Sequence, residues 1–489
     1  MNPTPRMDPA ALLALDAGAL SRRIADRAVS CRELMQATLQ RIHALNPVHN
    51  AIVSLRPDAE LLAEADACDA ALARGEAQGW MHGFPLAVKD LSDASGLPTT
   101  LGSRTSGGRI ATADALFVQR MKKAGGIVIG KTNTPEFGLG SHTFNEVFGT
   151  TRNAWDASRS AGGSSGGAAV ALALGMLPVA DGSDFGGSLR NPAAFNNVVG
   201  FRPSRGRVPA VPAEDVFFAQ LGTEGPMART SADAARLLCT LAGWDARAPL
   251  SLADPVPDAA GLDLQAMPHG KRIGWLGGVW PDLPLEPGVA PLCEAALRRL
   301  QEAGYSVEPC TLEVPRELNW NAWLVLRQML TGGKLRAVYA QPQLRALMKP
   351  EALWEVEQGL QLTAAQLYQA SAQRTIVYQA FRKLFERFDV LAAPSAQVFP
   401  FDAQIRWPRE IAGVAMDTYH RWMEVVTPFT LAGLPVASVP VGFGPAGLPM
   451  GMQLAGPPRA DLAVLSLAHA FEALAPWSGT RPPAVAALP

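Results

Sequence analysis

Three serines set among glycines, Ser164, Ser165 and Ser188, are the side chains of this sequence best placed for covalent chemistry. They lie in two clusters, GGSSGG at 162–167 and GSDFGGS at 182–188, separated by small apolar residues and a short strand-like piece. Glycine loses more backbone entropy on folding than any other residue, so such loops imply that a ligand or reacting atom must approach the main chain. A serine hydroxyl is a weak nucleophile at neutral pH and needs a base beside it. Two lysines are candidates. Lys89 and Lys131 each follow a short apolar run, GFPLAV at 83–88 and GGIVIG at 125–130.

Other chemistries fit less well. Gly162 and Gly167 have the spacing of a phosphate-binding loop, but Ala168 and Ala169 stand where Lys and Ser/Thr are required. Residues 163–167 formally match G-x-S-x-G with Ser165 central, yet the preceding 155–160 is a polar loop rather than a buried strand. His420 and His469 follow later, in no recognisable loop motif. No lysine has a serine three residues before it, and no H-E-x-x-H or Cys/His cluster could hold a metal. The five cysteines contain no C-x-x-C pair and read as free thiols in a reducing compartment. A net charge of −1 leaves no electrostatic footprint for nucleic acid or anionic lipid.

The elements that must position these residues read as an α/β protein. Residues 8–75 carry helical periodicity, with Ser30 as a cap and Pro47 closing one pattern. From residue 83 onward, apolar strands alternate with helices. That pattern predicts a large mixed, mostly parallel β-sheet covered by helices on both faces. Lys89, Lys131 and the Asp181 loop then fall at strand ends, where functional groups of such sheets collect. The uncharged run 161–180 is long enough to cross a membrane, but its Gly, Ser and Pro178 mark it as buried interior. Asp8 and Asp16 argue against a signal peptide, so a cytoplasmic protein is expected. Trp320, Trp323, Trp354, Tyr368, Tyr378, Phe381 and Phe385 recur at helical spacing, as core or as the lining of an apolar pocket.

Taken together, the motifs carry a resemblance. They are Gly83-x-Pro85-x-x-Val88-Lys89-Asp90, Gly130-Lys131-Thr132-Asn133 with Glu136-Phe137, the two Gly/Ser clusters through Arg190, and Leu448-Pro449-Met450-Gly451-Met452-Gln453. In this order the chain resembles the amidase signature family of serine hydrolases, closely over 83–243 and more loosely over 390–474. The resemblance implies Ser188 as nucleophile, Ser164 as a bridging serine behind a cis peptide from Gly163, and Lys89 as base. It implies an oxyanion hole from the N–H groups of Phe185, Gly186, Gly187 and Ser188. Asp184 and Arg190 are expected to pair and brace that loop, and Lys131 and Ser165 to be structural.

Ser183 and Phe185 stand where many members carry Thr and Ile, and are expected to shape the acyl pocket without touching the three catalytic residues. Asn191 replaces an arginine that the malonamidase branch uses for a substrate carboxylate, which disfavours an anionic acyl group. The implied activity is hydrolysis of a carboxamide to acid plus amine or ammonia through an acyl-enzyme. The aromatic content of 315–425 favours a neutral apolar or aryl amide. The alternatives are the glutamine-hydrolysing component of an aminoacyl-tRNA amidotransferase and a non-catalytic scaffold on the same fold. Effectively a single domain is expected. Within it, a helical segment, 1–80, packs on a catalytic region, 81–489, made of core motifs at 83–243, a variable pocket region at about 244–425 and closing strands and helix at 426–489. A small-molecule amide is the expected partner, with no nucleic acid or membrane, no metal and no cofactor; the size allows a homodimer. Hydrolysis assayed with and without EDTA should therefore proceed at the same rate, and inhibition by the chelator would contradict this reading.

Overall fold

Residues 7–487 are described by the computed structural model; residues 1–6 and 488–489 of the two expected spans lie outside it. The N-terminal helices start where the sequence can cap them. Ser30 Oγ accepts the Glu33 N–H at 3.0 Å, and Glu33 Oε2 accepts the Ser30 N–H at 3.0 Å, a reciprocal box at the head of helix Cys31–His49. That helix runs two residues beyond Pro47, the expected stop, and ends at Asn50 in the left-handed region. Its apolar face, with Leu34 and Ile42, joins one hydrophobic cluster with Ile129, Val170, Leu454 and Phe471.

The main sheet has eight strands. In spatial order they are Ser306–Pro309, Arg272–Trp275, Val390–Pro394, Pro449–Ala455, Val436–Phe443, Val199–Arg202, Thr223–Ala228 and Val179–Asp184. The α/β class and the large mixed sheet are as expected, but "mostly parallel" needs correction. Two of the seven neighbouring pairs are parallel and five are antiparallel. The reason is connectivity. Helix Val289–Glu302 provides a crossover between the parallel strands Arg272–Trp275 and Ser306–Pro309. The closing strands are instead joined by a tight turn in which Gly444 N–H meets Leu448 O at 2.9 Å, and so must run antiparallel.

The strand Pro85–Lys89 belongs to a separate three-stranded sheet, parallel to Ile127–Thr132 with Lys89 opposite Thr132. Asp181 lies inside strand Val179–Asp184 rather than in a loop at its end, so the second Gly/Ser cluster begins as sheet. Helix Gly166–Ala173 is buried on every face, which is why its residues are small or apolar all round. No helix among the described residues is long and apolar enough to cross a membrane. Of the aromatics at 320–385, Trp320, Trp323 and Phe381 are buried, whereas Tyr368 is 80% exposed and Tyr378 38%.

Gly167 shows how tightly the buried helix is seated. A Cβ there would lie 2.6 Å from Ala51 O and 2.8 Å from Asn133 O, main-chain atoms that cannot step aside. Gly167→Ala should therefore destabilise the protein by about 1–3 kcal/mol. A urea midpoint equal to wild type would show that the backbone accommodates the methyl.

Candidate active site

The end of strand Pro85–Lys89 delivers a lysine into the interior. Lys89 is 1% exposed, and its Nζ lies 2.8 Å from Ser164 Oγ, 2.8 Å from Ser165 Oγ and 2.9 Å from Ser183 Oγ. Its backbone N–H donates to Asp181 Oδ2 at 3.2 Å, which joins the small sheet to the edge of the large one. Three hydroxyls around one nitrogen suit either charge state. An ammonium donates to all three, and a free amine donates to two and accepts from the third. Ser165 directs its own hydrogen towards Ser183 O at 3.4 Å, leaving Ser164 free to point at the lysine.

One expectation is corrected here and one residue gains a contact. Ser165, expected to be structural, places its hydroxyl as close to Lys89 as Ser164 does. Ser183 was expected not to touch the three candidate catalytic residues, and it touches Lys89, through its side chain and, at 3.4 Å, its carbonyl. The physical reason is the strand itself. Asp181 and Ser183 are two apart and share the face turned towards Lys89. Lys131, in contrast, is buried and donates to Ser92 O at 2.6 Å and Thr99 Oγ1 at 3.2 Å, with Asp90 Oδ1 at 3.5 Å, away from the serines.

Burial lowers Lys89 from an ordinary lysine to about 8, while the carboxylates of Glu224, Asp181 and Asp184 pull it back up. Burial likewise raises Asp181 to about 6 and Glu224 to about 7, both opposed by Lys89.

The peptide from Gly163 to Ser164 is cis, the geometry implied by the resemblance. Ser188 sits on the adjoining loop, 7% exposed, and its carbonyl accepts the Ser165 N–H at 3.2 Å. The two serine loops are thus tied together at the main chain. Among the described residues Ser188 Oγ makes no hydrogen bond, so its lone pairs are uncommitted.

The Ser188 loop is held by a buried ion cluster. Arg190 grips Asp184 with Nε–Oδ2 and Nη2–Oδ1 both at 2.9 Å, and Arg202 Nη1 adds 3.1 Å to Oδ1 and 2.6 Å to the Asp184 carbonyl. All three side chains are essentially unexposed. Burial alone would raise the Asp184 carboxyl, but the two guanidiniums and the Gly187 N–H overcome it and hold the group well below the usual carboxylate range. Arg190 Nη1 also donates to Val426 O at 2.9 Å and Gln453 Oε1 at 2.6 Å, so the closing strand helps to hold the loop.

This clamp changes the expected oxyanion hole. Gly187 N–H donates to Asp184 Oδ1 at 3.0 Å and is committed. The expected four donors reduce to the N–H groups of Phe185, Gly186 and Ser188, which meet no protein acceptor among the described residues. Gly187 must be glycine, because its φ is +89° and a Cβ would run into Asn191 Oδ1 and, at 2.8 Å, Val426. Asn191 is buried, its Nδ2 donating to Ser395 O at 2.7 Å and its Oδ1, beside Gly187, accepting the Ser141 hydroxyl at 3.2 Å.

Trp323 packs against the loop, and Tyr419 against Gly140. A Cβ on Gly186 would sit 3.1 Å from Trp323 Cζ2, and one on Gly140 would sit 3.7 Å from the Tyr419 ring. Arg327 lies 5.1 Å over the Phe185 ring and 5.2 Å over Trp323, anchored by Nε to Glu355 at 2.6 Å and by Nη2 to Tyr419 Oη at 2.8 Å. By sequence Trp323 was expected only as core or pocket lining. Arg327, Tyr419 and Glu224 were not expected at the site at all, because nothing in their local sequence distinguishes them. No group of metal-ligating side chains occurs among the described residues.

A family model described as Amidase matches residues 33–465. The chain is 36% identical over 480 residues to the A component of a glutamyl-tRNA(Gln) amidotransferase from Acidothermus cellulolyticus, covering 93% of each protein. It is 33% identical over 488 residues to an acylamidase of Rhodococcus erythropolis, covering 96% of this chain and 97% of that one. Its fold matches the crystal structure of a bacterial aryl acylamidase of the amidase signature family with a TM-score of 0.89 and 31% identity, over 97% of this chain and 99% of the other.

The Asp184 clamp makes a measurable prediction. Breaking one partner of a buried ion pair leaves an uncompensated charge, so Arg190→Leu should cost about 3–5 kcal/mol in urea unfolding. A loss below about 1 kcal/mol, the scale of an exposed pair, would show that the cluster is solvated.

Proposed function

The chain belongs to the amidase signature family and is an amide-hydrolysing enzyme, and we propose that it works through a Ser188–Ser164–Lys89 relay. The observation that carries the proposal is the 2.8 Å contact between Lys89 Nζ and Ser164 Oγ, inside a buried site whose lysine is lowered to about 8. Ser188 attacks the amide carbon, its proton passing to Ser164 as Ser164 passes its own to Lys89. The negative oxygen is received by the N–H groups of Phe185, Gly186 and Ser188. The proton then returns along the same path to the leaving nitrogen, which departs as amine or ammonia. Water attacks the resulting acyl-enzyme by the same relay and releases the acid.

For the substrate we favour a neutral apolar or aryl amide. Trp323 against Gly186, with Phe185 on the same loop, supports an aromatic wall for the acyl group. The likeness to proteins named acylamidase and aryl acylamidase points the same way. A second reading, the glutamine-hydrolysing component of an amidotransferase, is favoured by the 36% identity to a protein so named. The two separate cleanly. Turnover of para-nitroacetanilide by the purified chain supports the first. Ammonia release specific to glutamine, with two other proteins co-purifying, supports the second.

Ser188→Ala should abolish turnover while leaving the far-UV spectrum unchanged; residual hydrolysis at the wild-type rate would remove Ser188 from the nucleophile's role. The pH dependence follows from the sign of the lysine's shift. Below about 8 the ammonium has no lone pair to take a proton, and above it the amine is free. Thus kcat/KM should rise through that pH to an alkaline plateau, and Lys89→Ala should lose about 10²–10⁴-fold. A flat profile from neutral to alkaline pH would sink the lysine base.

A further inference from the structure

One carboxylate beside the relay has no assigned task. Strand Thr223–Ala228 runs antiparallel to Val179–Asp184, with Glu224 directly opposite Ser183. Directly opposed residues turn their side chains to the same face, with Cβ atoms about 4.5–5.5 Å apart. Ser183 uses that face to place Oγ at 2.9 Å from Lys89 Nζ, so Glu224 borders the same lysine. Glu224 is half-buried, and its Oε2 is fully buried and accepts no hydrogen bond among the described residues. A buried carboxylate oxygen left without a donor is costly, and native structures keep such groups where they have a task.

The surrounding charges limit what the task can be. Lys89 is faced by Glu224 from one strand, by Asp181 from the next and by Asp184 beyond it. Asp181 is also faced by Lys131, and Asp184 is neutralised by Arg190 and Arg202. Glu224 is faced by Lys89, by Asp181 and by Lys334 of helix Arg316–Tyr339. Asp181 gives Oδ2 to the Lys89 main chain. Glu224, on the face shared with Ser183, is the carboxylate that makes no bond to the Lys89 main chain or to an arginine and keeps a buried oxygen uncommitted.

We infer that Glu224 is a positioning residue of the relay, its carboxylate stabilising the ammonium that forms on Lys89 when the proton leaves Ser188. The inference rests on the proposed relay. The proton balance is simple. One proton moves from Ser188 Oγ through Ser164 to Lys89 Nζ and later returns to the leaving nitrogen, and Glu224 carries no proton in the transfer. It makes the lysine a stronger base and keeps the protonated form available as the acid. Without the neighbouring carboxylate, desolvation would act on Lys89 with less opposition, leaving a free amine at lower pH but a poorer proton acceptor.

Glu224→Gln keeps the shape and removes the charge. With para-nitroacetanilide, the acid limb of kcat/KM should move to lower pH by about 1–3 units, the usual effect of losing one opposite charge at close range. The plateau kcat should fall and KM should stay unchanged. Glu224→Asp should restore part of both. Superimposable pH profiles for wild type and Glu224→Gln would overturn the inference. So would a defect confined to KM for amine-bearing substrates, which would make Glu224 a substrate contact instead. A second measurement needs no turnover. The titration of the Lys89 side chain, followed by NMR of isotope-labelled lysine and assigned with Lys89→Met, should shift downward in Glu224→Gln. If that shift occurs in a protein that hydrolyses no amide, the proposed function fails and the Glu224–Lys89 coupling stands. If hydrolysis depends on Ser188 but the lysine titration is unmoved, only the coupling fails.

Discussion

The carboxylate of Asp184 is the point on which the Ser188 loop hangs. It receives two bonds from Arg190, one from Arg202 and the N–H groups of Gly187 and Leu189, all without water access. A buried charge is tolerable only when its lone pairs are filled in this way, and here that filling shapes the loop. By drawing the Gly187 and Leu189 N–H groups inward, the carboxylate fixes the turn on which Ser188 sits. Arg190 then carries the constraint to Val426, Thr430 and Gln453, far along the chain. The conformation of the Ser188 loop is thus the outer end of an ion cluster in the core.

Lys89 depends on the opposite strategy. Asp184 is kept charged by surrounding it with cations, whereas Lys89 is moved towards neutrality by burial among hydroxyls. Ser164, Ser165 and Ser183 can each donate or accept, so they solvate the amine and the ammonium alike. A ring of fixed acceptors would trap the ammonium, and an apolar wall would exclude it. The hydroxyl ring leaves the choice to the nearby carboxylates, at a distance that tunes the lysine without a direct salt bridge.

Much of the fold was legible in local chemistry. The capping box at Ser30 and Glu33, the buried helix of Gly and Ala, and the strands before Lys89 and Lys131 all follow from residue type and period. Strand direction was not legible, because apolar runs look alike whether their neighbours are parallel or antiparallel. The closing hairpin and the edge pairing of 179–184 with 223–228 made the sheet largely antiparallel. Tyr368 and Tyr378 fitted a helical core stripe and proved to lie on the outer face.

The sequence by itself determined which residues could do chemistry: the glycine-flexed serines, a lysine after an apolar strand, and an Asp–Arg pair six apart in one loop. These depend on side-chain type and short spacing, which any chain carries before folding. Only the tertiary structure decided what meets what. Lys89 and Ser164 are 75 residues apart and come within 2.8 Å because two separate sheets abut at Asp181. Gly187's N–H, expected in the oxyanion hole, is taken up by a carboxylate whose orientation depends on an arginine anchored to the closing strand. Glu224 became Lys89's neighbour through strand register, a property of paired backbones that no single stretch of sequence contains.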